Sequence, residues 1–280
     1  MKYIDLHTHS TASDGSLTPR EVVAEAKRAG LSAIALSDHD TTVGVAEAMA
    51  AGEELGVEVI PAIELSSESK TETHILGFFI DPQNPALLSK LREVREIRER
   101  REEDVCAKLN SLGFEITMDE AREVAGANIL CRAHFAKLMV QKGYCPSVKS
   151  AFDEYLSVGK KAYSGIQALT DTEAVKLIKT AGGDAYLAHL NQTHRGHDDL
   201  YEYLRRLKSE GLTGIEGYYT EYTDEMGEEY RAMAKELDLC LSGGSDFHGA
   251  FKPHISIGRG TGNLRIPYDV LENMKNFRAN

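Results

Sequence analysis

Apolar segments of strand length alternate with amphipathic helical patterns in the first part of the chain. The segments that predict strands there cover residues 2–7, 33–36, 57–65 and 74–80. A helix is predicted to begin at Thr18, with Pro19 in its first turn and Glu21 completing a capping box. A second helix is predicted over about 44–55. Such alternation is typical of parallel α/β folds.

The pattern changes after Asp81-Pro82, where a long helix with many charged residues is predicted over 86–112. Acidic and basic residues are interleaved from Arg92 to Asp104, which is typical of a solvated helix face rather than of a nucleic-acid-binding arm. Shorter helical patterns follow near residues 117–125, 132–141 and 148–156. We therefore predict a small helical insertion domain over residues 85–165.

Strand and helix alternate again after the insertion. The strands predicted there cover residues 184–189, 214–218 and 239–242. The helices predicted there cover residues 171–181, 198–210, 223–237 and 267–277. Seven strands, each followed sooner or later by a helix, predict a parallel α/β structure, most simply a closed or nearly closed barrel. Residues 1–84 and 166–280 would form it, with an active site at the carboxyl ends of the strands.

The chain is acidic, with a formal net charge of -12 from 44 acidic and 32 basic residues. This charge disfavours a long, sequence-independent grip on duplex nucleic acid, but it is compatible with a small anionic substrate. The four cysteines form no Cys-x-x-Cys pair, so neither a zinc ribbon nor a redox motif is predicted. No apolar run has the length of a signal peptide core or a membrane span, and we expect a cytoplasmic protein with no membrane partner.

Histidine and carboxylate residues lie at the ends of successive predicted strands. They are His7, His9, Asp14, His39, Glu64, His74, His189, Asp246 and His248. Imidazole and carboxylate groups are ligands of manganese, iron and zinc, and strand alternation points His7 and His9 in the same direction. One such residue alone is more often an ordinary polar side chain, which is how we interpret His194, His197 and His254. Nine at successive strand ends predict one shared metal site.

The motifs that contain these residues resemble those of the PHP (polymerase and histidinol phosphatase) family of metal-dependent phosphoesterases. They are Asp5-Leu6-His7-Thr8-His9-Ser10, Asp14-Gly15, Ser37-Asp38-His39-Asp40, Glu64, His74, Ala188-His189 and Gly244-Ser245-Asp246-Phe247-His248. The resemblance runs in the same order over nearly the whole chain. It implies a distorted (β/α)7, TIM-like barrel that holds two or three divalent metal ions. The donor set suits manganese, iron or zinc.

The resemblance also implies how the ligands divide among the metals. One ion would be bound by His7, His9, Glu64 and Asp246. A second ion, bridged by Glu64, would be completed by His74 and His189. A third would be bound by Asp14, His39 and His248. A water that bridges two such ions loses a proton near neutral pH, and we expect the resulting hydroxide to attack phosphorus.

Further roles are predicted for two of these ligands and for two residues beside them. Glu64 and Asp246 are predicted as catalytic residues, because their charges neutralise neighbouring cations and Glu64 has two oxygens for bridging. Asp5 and Asp38 lie beside ligands in the sequence. We expect these two carboxylates to orient imidazoles as hydrogen-bond acceptors.

Residues in the insertion resemble a subgroup of the family that contains nucleotide phosphatases and a ribonuclease that trims RNA from its 5′ end. The similar segments are Cys131-Arg132-Ala133-His134 and Gly159-Lys160-Lys161-Ala162-Tyr163. In that subgroup the inserted domain caps the barrel mouth, so Arg132, His134 and Lys161 would contact a substrate phosphate. His134 would also be catalytic, by protonating a leaving oxygen. Alternatively, Arg132 is an exposed helix residue and His134 packs under the cap.

These features predict a metal-dependent phosphoesterase that hydrolyses phosphate monoesters of nucleotides, of the AMP or 3′,5′-bisphosphate type, or acts on the 5′ ends of short oligoribonucleotides. Its expected partners are small phosphorylated substrates and short single-stranded RNA or DNA ends. Histidinol phosphate hydrolysis, exonuclease action on longer polymers and an inactive metal-binding PHP module are the alternatives. The loop after His189 departs from the family pattern, with Leu190-Asn191 in place of proline, which bears on substrate contacts there.

Overall fold

The computed structural model describes residues 2–68, 72–126, 130–165 and 168–279. The chain divides into two units: Met1–Leu91 together with Leu169–Asn280, and Arg92–Ala168. We propose that the second unit is the inserted domain expected over residues 85–165. In the described part of the chain, no helix combines the length and the apolar character needed to cross a bilayer.

One sheet of eight strands forms the frame of the first unit, in the order β7-β6-β5-β4-β3-β2-β1-β8. The strands are β1 (Tyr3–Thr8), β2 (Ala33–Leu36), β3 (Glu58–Glu68), β4 (Glu72–Phe78), β5 (Asp184–Leu187), β6 (Leu212–Tyr219), β7 (Cys240–Gly244) and β8 (Ile266–Pro267). The ends of β1 and β7 meet, because the His9 amide donates to the Phe247 carbonyl and the Asp246 amide to the His7 carbonyl, both at 2.9 Å. The sheet is therefore a nearly closed barrel, which confirms the predicted fold class, and β8 is an additional short strand.

The direction of one strand differs from the all-parallel arrangement expected from the sequence. β4 pairs antiparallel with both β3 and β5, whereas the other neighbours from β1 to β7 are parallel. Only three residues separate β3 from β4. A connection this short joins antiparallel strands, because a parallel pair needs a crossover of about a dozen residues or more. The start of β4 therefore lies at the rim where the parallel strands end.

Ten α-helices are present in the described part of the chain. They are α1 (Pro19–Arg28), α2 (Val45–Leu55), α3 (Pro85–Ser111), α4 (Met118–Ala125), α5 (Arg132–Gln141), α6 (Val148–Ala151), α7 (Asp171–Thr180), α8 (His197–Ser209), α9 (Asp224–Glu236) and α10 (Asp269–Ala279). Apart from the start of α3, helices α3 to α6 belong to the second unit. The helices α1, α2 and α7 to α10 contact strands or one another in the first unit.

Helix α1 begins with the capping box that the sequence predicts. The Thr18 hydroxyl accepts a hydrogen bond from the Glu21 amide at 3.3 Å, and the Glu21 carboxylate accepts one from the Thr18 amide at 2.8 Å. Pro19 occupies the first turn, where its missing N–H is not needed. Val22 and Val23 are fully buried on the inner face of the helix. The helix is thus fixed both at its start and along its apolar face.

Alternate strand residues form the main core of the barrel. Because strand side chains point to two faces in turn, Ile4 and Leu6 of β1 pack in one cluster with Ala33 and Ala35 of β2 and with residues of α10. The intervening Ile34 packs instead with the residues of α1 and α2. Burying each Ile or Leu side chain contributes about 1.5–3 kcal/mol. This core supports the rim at which the polar residues gather.

Candidate metal centre

The predicted ligands lie at the rim of the barrel where the parallel strands end. Those within or after the parallel strands are His7, His9, His39, Glu64, His189, Asp246 and His248. His74 reaches the same rim from β4, because that strand runs in the opposite direction and pairs His74 with Ser66 near the end of β3. Asp14 lies between β1 and α1. The reversed strand is therefore what brings His74 to its neighbours.

Among the residues that the structure describes, three groups of side chains bring their potential ligand atoms within 4.8 Å of one another. They are His9 with Asp14, His39 and His248; His7 with His9 and Asp246; and His39 with Glu64 and His74. The remaining predicted ligand, His189, has its Nε2 3.0 Å from Oε1 of Glu64. The groups share His9 and His39, so the predicted residues form one continuous cluster.

Glu64 lies at the centre of this cluster and is 1 % exposed. Its Oε2 is 3.2–3.3 Å from ring nitrogens of His7, His9 and His39. Its Oε1 is 3.0 Å from ring nitrogens of His74 and His189. The two oxygens of one carboxylate thus face two separate sets of imidazoles, which is the arrangement that a bridging ligand requires.

The buried polar atoms of the cluster fit divalent cations. Both ring nitrogens of His9 and Nδ1 of His39 are buried and have no hydrogen-bond partner among the described residues. Buried polar atoms normally have a partner, and imidazole nitrogens beside carboxylate oxygens are a donor set for zinc, iron or manganese. His7, His9, Glu64 and Asp246 are the residues best placed to hold such an ion.

The electrostatics of the cluster favour cations. Burial by itself raises the pKa of Glu64. The neighbouring imidazoles, His39 above all, have a larger opposite effect, so the pKa lies well below its usual range. The pKa of Asp246 is also low, because Lys252 above all outweighs burial there. Burial lowers the pKa of His9, but contact with carboxylates raises it to about 9. The carboxylates are therefore ionised at neutral pH, and metals compete with protons for His9.

Asp5 and Asp38 do not orient imidazoles, so that expectation was wrong. Asp5 is fully buried and accepts hydrogen bonds from the backbone amides of Ser245 and Gly258 at 2.8 and 2.7 Å. Asp38 accepts from the amide and hydroxyl of Ser10, both at 2.7 Å. Among the described residues, the hydrogen bonds that both carboxylates accept come from backbone amides and serine hydroxyls. These two carboxylates hold the backbone of the loops that carry the ligands.

Glu216 is a site residue that the sequence analysis missed. It lies in β6, is fully buried, and its Oε1 is 2.9 Å from Nδ1 of His7. Its Oε2 accepts a hydrogen bond from the backbone amide of His189 at 2.7 Å. The only signal in the sequence is an acidic residue within the strand segment Gly214-Ile215-Glu216-Gly217-Tyr218.

The second oxygen of Asp246 is held away from the imidazoles by two donors. Its Oδ2 accepts from Lys252 Nζ at 2.7 Å and from the Tyr219 hydroxyl at 3.1 Å. Its Oδ1 lies 3.3 Å from ring nitrogens of His9 and His248. Asp246 therefore offers one oxygen to a cation. Lys252 lies beside the cluster through this ion pair.

The insertion residues predicted to contact substrate lie in the second unit. The guanidinium of Arg132 donates to the Leu156 carbonyl at 3.2 Å and lies 5.3 Å from the ring centroid of Tyr163. His134 is buried, and its Nδ1 accepts from the backbone amide of the residue that precedes α5, at 3.1 Å. Lys161 is exposed. The buried position of His134 is also what the packing alternative expects, and the substrate roles of all three remain predictions.

A nearly closed α/β barrel with a buried imidazole and carboxylate cluster at its strand ends defines a metal-dependent hydrolase. A family model described as PHP domain matches residues 5–243. The chain belongs to the PHP family and is a phosphoester hydrolase.

Several characterised relatives are similar over most of the chain. A 5′-3′ exoribonuclease from Haemophilus influenzae is 35% identical over 88% of this chain and 90% of its own length. A 3′,5′-nucleoside bisphosphate phosphatase from Chromobacterium violaceum is 35% identical over 89% and 88%. A phosphoribosyl 1,2-cyclic phosphate 1,2-diphosphodiesterase from Eggerthella lenta is 32% identical over 90% and 97%. All three names describe cleavage of phosphoester bonds.

Solved structures with the same fold cover both units of the chain. An amidohydrolase from Chromobacterium violaceum, with bound sulfate and no metal, superposes with a TM-score of 0.85 at 31% identity, covering 97% of this chain and 96% of that one. A metal-dependent phosphoesterase from Bifidobacterium adolescentis gives a TM-score of 0.83 at 30% identity, covering 99% and 96%. These similarities extend the family assignment to the three-dimensional fold.

Proposed function

We propose that this protein hydrolyses phosphate monoesters of nucleotides, of the AMP or 3′,5′-bisphosphate type, or acts on the 5′ ends of short oligoribonucleotides. The observation that carries the proposal is the position of Glu64, whose two oxygens face two sets of imidazoles. The names of the relatives support nucleotide or RNA substrates rather than histidinol phosphate. The four cysteines form no disulfide among the described residues, which suits a reducing compartment, and we include a cytoplasmic location in the proposal.

Two or three divalent ions of manganese, iron or zinc would be held by the nine clustered residues. Metals bound there would lower the pKa of a coordinated water and neutralise negative charge on phosphoryl oxygens. Glu64 would bridge two of the ions, and Asp246 would offer Oδ1 while Lys252 and Tyr219 hold its other oxygen. Asp5 and Asp38, with their backbone and hydroxyl donors, would keep the ligand loops in place.

The insertion would recognise the substrate. Arg132 is suited to bidentate binding of a phosphate, and Lys161 adds a second positive charge. His134 would donate a proton to the leaving oxygen, which lowers the barrier for breaking the phosphoester bond. The overall charge of -12 makes the positive side chains of Arg132 and Lys161 important, because the net negative charge of the chain repels an anionic substrate.

The first test is a hydrolysis screen of metal-loaded protein on AMP, adenosine 3′,5′-bisphosphate, a short 5′-phosphorylated RNA and histidinol phosphate. Glu64→Ala should lower kcat/KM on the nucleotide substrates by more than about 100-fold, because removing even a supporting partner of a metal ligand costs about 10–100-fold. The matched control is Glu53→Ala, an exposed acid on α2, which should retain activity. Phosphate release and product chromatography give the rates.

The same screen tests the substrate contacts separately. Arg132→Ala should raise KM on nucleotides about tenfold while kcat changes less, because a ground-state phosphate contact is removed. Full activity of Glu64→Ala would reject the bridged-metal mechanism. An unchanged KM for Arg132→Ala would reject the phosphate contact, and a preference for histidinol phosphate would reject the nucleotide assignment.

A further inference from the structure

Glu216 contacts two different parts of the metal centre with its two oxygens. Oε1 lies 2.9 Å from Nδ1 of His7, and Oε2 accepts the backbone amide of His189 at 2.7 Å. These histidines approach different oxygens of Glu64, His7 its Oε2 and His189 its Oε1. One buried carboxylate therefore touches residues of both metal positions that Glu64 would bridge.

The contact with His7 fixes which ring nitrogen can bind a cation. A carboxylate oxygen accepts hydrogen bonds, so the 2.9 Å contact directs Nδ1 of His7 at Glu216 as the donor nitrogen. Nε2 of the same ring faces the Glu64 and Asp246 carboxylates at 3.2 and 3.6 Å, and is therefore the nitrogen directed at a cation in the cluster. Carboxylate partners of this kind orient metal-binding imidazoles and raise their basicity.

The contact with His189 holds a strained backbone. His189 has φ 26° and ψ 66°, a left-handed conformation that residues other than glycine rarely adopt. Such conformations persist where surrounding contacts hold them. Oε2 of Glu216 holds the His189 amide, and the Tyr222 hydroxyl accepts the next amide, that of Leu190, at 2.8 Å. The same hydroxyl donates to the Glu216 carbonyl at 3.1 Å.

We propose that Glu216 is a positioning residue that couples the two metal positions on either side of Glu64. Its fully buried side chain orients the His7 ring and holds the backbone of His189, so both positions are organised together. The inference rests on the proposed function, since it takes His7 and His189 as metal ligands.

Glu216→Gln separates the two contacts with little change in shape. An amide has one acceptor and one donor end, so it satisfies only one of the two partners. If its NH2 faces His7, the proton of that ring moves to Nε2 and blocks the metal. If its NH2 faces the His189 amide, two donors oppose each other. Either orientation disturbs one contact directly, and through the shared Glu64 bridge both metal positions lose affinity.

The test is zinc binding to metal-depleted protein, measured by calorimetry with a competing chelator. Glu216→Gln should weaken both of the tightest zinc sites by about 10–100-fold, the range for partners that orient metal ligands. Tyr222→Phe removes the acceptor of the Leu190 amide and the donor to the Glu216 carbonyl but leaves both contacts of the Glu216 carboxylate, and it should weaken only the site that contains His189. Glu221→Gln, an exposed acid in the adjoining segment, should leave both unchanged.

Selective 15N-histidine labelling gives an independent readout. In the wild-type protein, His7 should show a protonated Nδ1 in both metal-depleted and zinc-bound states, and Tyr222→Phe should retain that signal. Two intact zinc sites in folded Glu216→Gln, or loss at one site only, would overturn the coupling. Equal losses in Tyr222→Phe and Glu216→Gln would do so as well. If the wild type binds zinc but cleaves no nucleotide, the proposed function fails while this binding test stands.

Discussion

Gly244 lies against His7 with no space for a side chain between them. A Cβ at position 244 would lie 2.2 Å from the His7 Cβ and 2.4 Å from its backbone nitrogen. Atoms of a buried strand cannot move apart by that much without breaking the hydrogen bonds that join the end of β1 to the segment after β7. We expect Gly244→Ala to lower the free energy of unfolding by about 3 kcal/mol, the upper range for overpacking.

Chemical denaturation measures this effect. The control is Gly165→Ala, because an added Cβ there meets nothing within 4 Å. Gly244→Ala should also reduce metal binding, since it displaces His7. Equal stabilities of Gly244→Ala and the wild type would show that the rim is looser than these distances indicate.

Candidate ligand residues could be picked out singly from the sequence, whereas the residues that support them could not. His7, Glu64 and Asp246 stand out because each is a potential metal ligand at a strand end within a recognisable motif. Glu216 has no such motif, and only the fold brings it to His7 from a distant strand. Asp5 occupies a motif position, but its role depended on which amides the loops leave unpaired. Hydrogen bonds between residues distant in sequence therefore could not be predicted from the sequence alone.

At the scale of elements, the direction of β4 was the feature that the sequence did not fix. An apolar pattern specifies a strand and its faces but carries no information on direction. The short separation from β3 decides it, and His74 at the start of β4 reaches the rim as a result. In contrast, the start of α1 was predictable, because its capping box depends on neighbouring residues.

Helix α3 carries a buried acid whose ionisation is unfavourable. Glu102 is 1 % exposed, its Oε2 is buried without a hydrogen-bond partner among the described residues, and burial raises its pKa in spite of Arg101 and Arg98. A carboxyl group with a raised pKa in the folded state costs stability above that pKa. The cost disappears as the pH falls towards the pKa of the unfolded chain.

We therefore expect the wild type to gain stability relative to Glu102→Gln as the pH falls from about 8 to about 5. Thermal unfolding of both proteins at the two pH values measures the difference. The exposed neighbour Glu103 provides the control, since Glu103→Gln should show the same pH dependence as the wild type. A stability difference that stays constant, or that moves in favour of Glu102→Gln at pH 5, would contradict the account of Glu102.

At the scale of the whole molecule, the order of the motifs predicted more than any single motif. Donor residues at successive strand ends meet in space only if the strands form one sheet that curves on itself, which the meeting of β1 and β7 confirms. Because the chain is acidic, an anionic substrate needs local positive charge in order to bind. Cations held by the clustered residues would provide that charge. We propose that contacts of the insertion determine which substrate binds, and composition does not reveal these contacts.

The central claim is that the clustered residues form a metal centre, and anomalous X-ray diffraction from manganese-loaded crystals tests it most directly. Data collected at the manganese absorption edge locate the ions without assumptions about ligands. We predict at least two anomalous peaks bridged by Glu64, one of them beside His7, His9 and Asp246. Active, manganese-loaded protein with no peak at these residues would contradict the account.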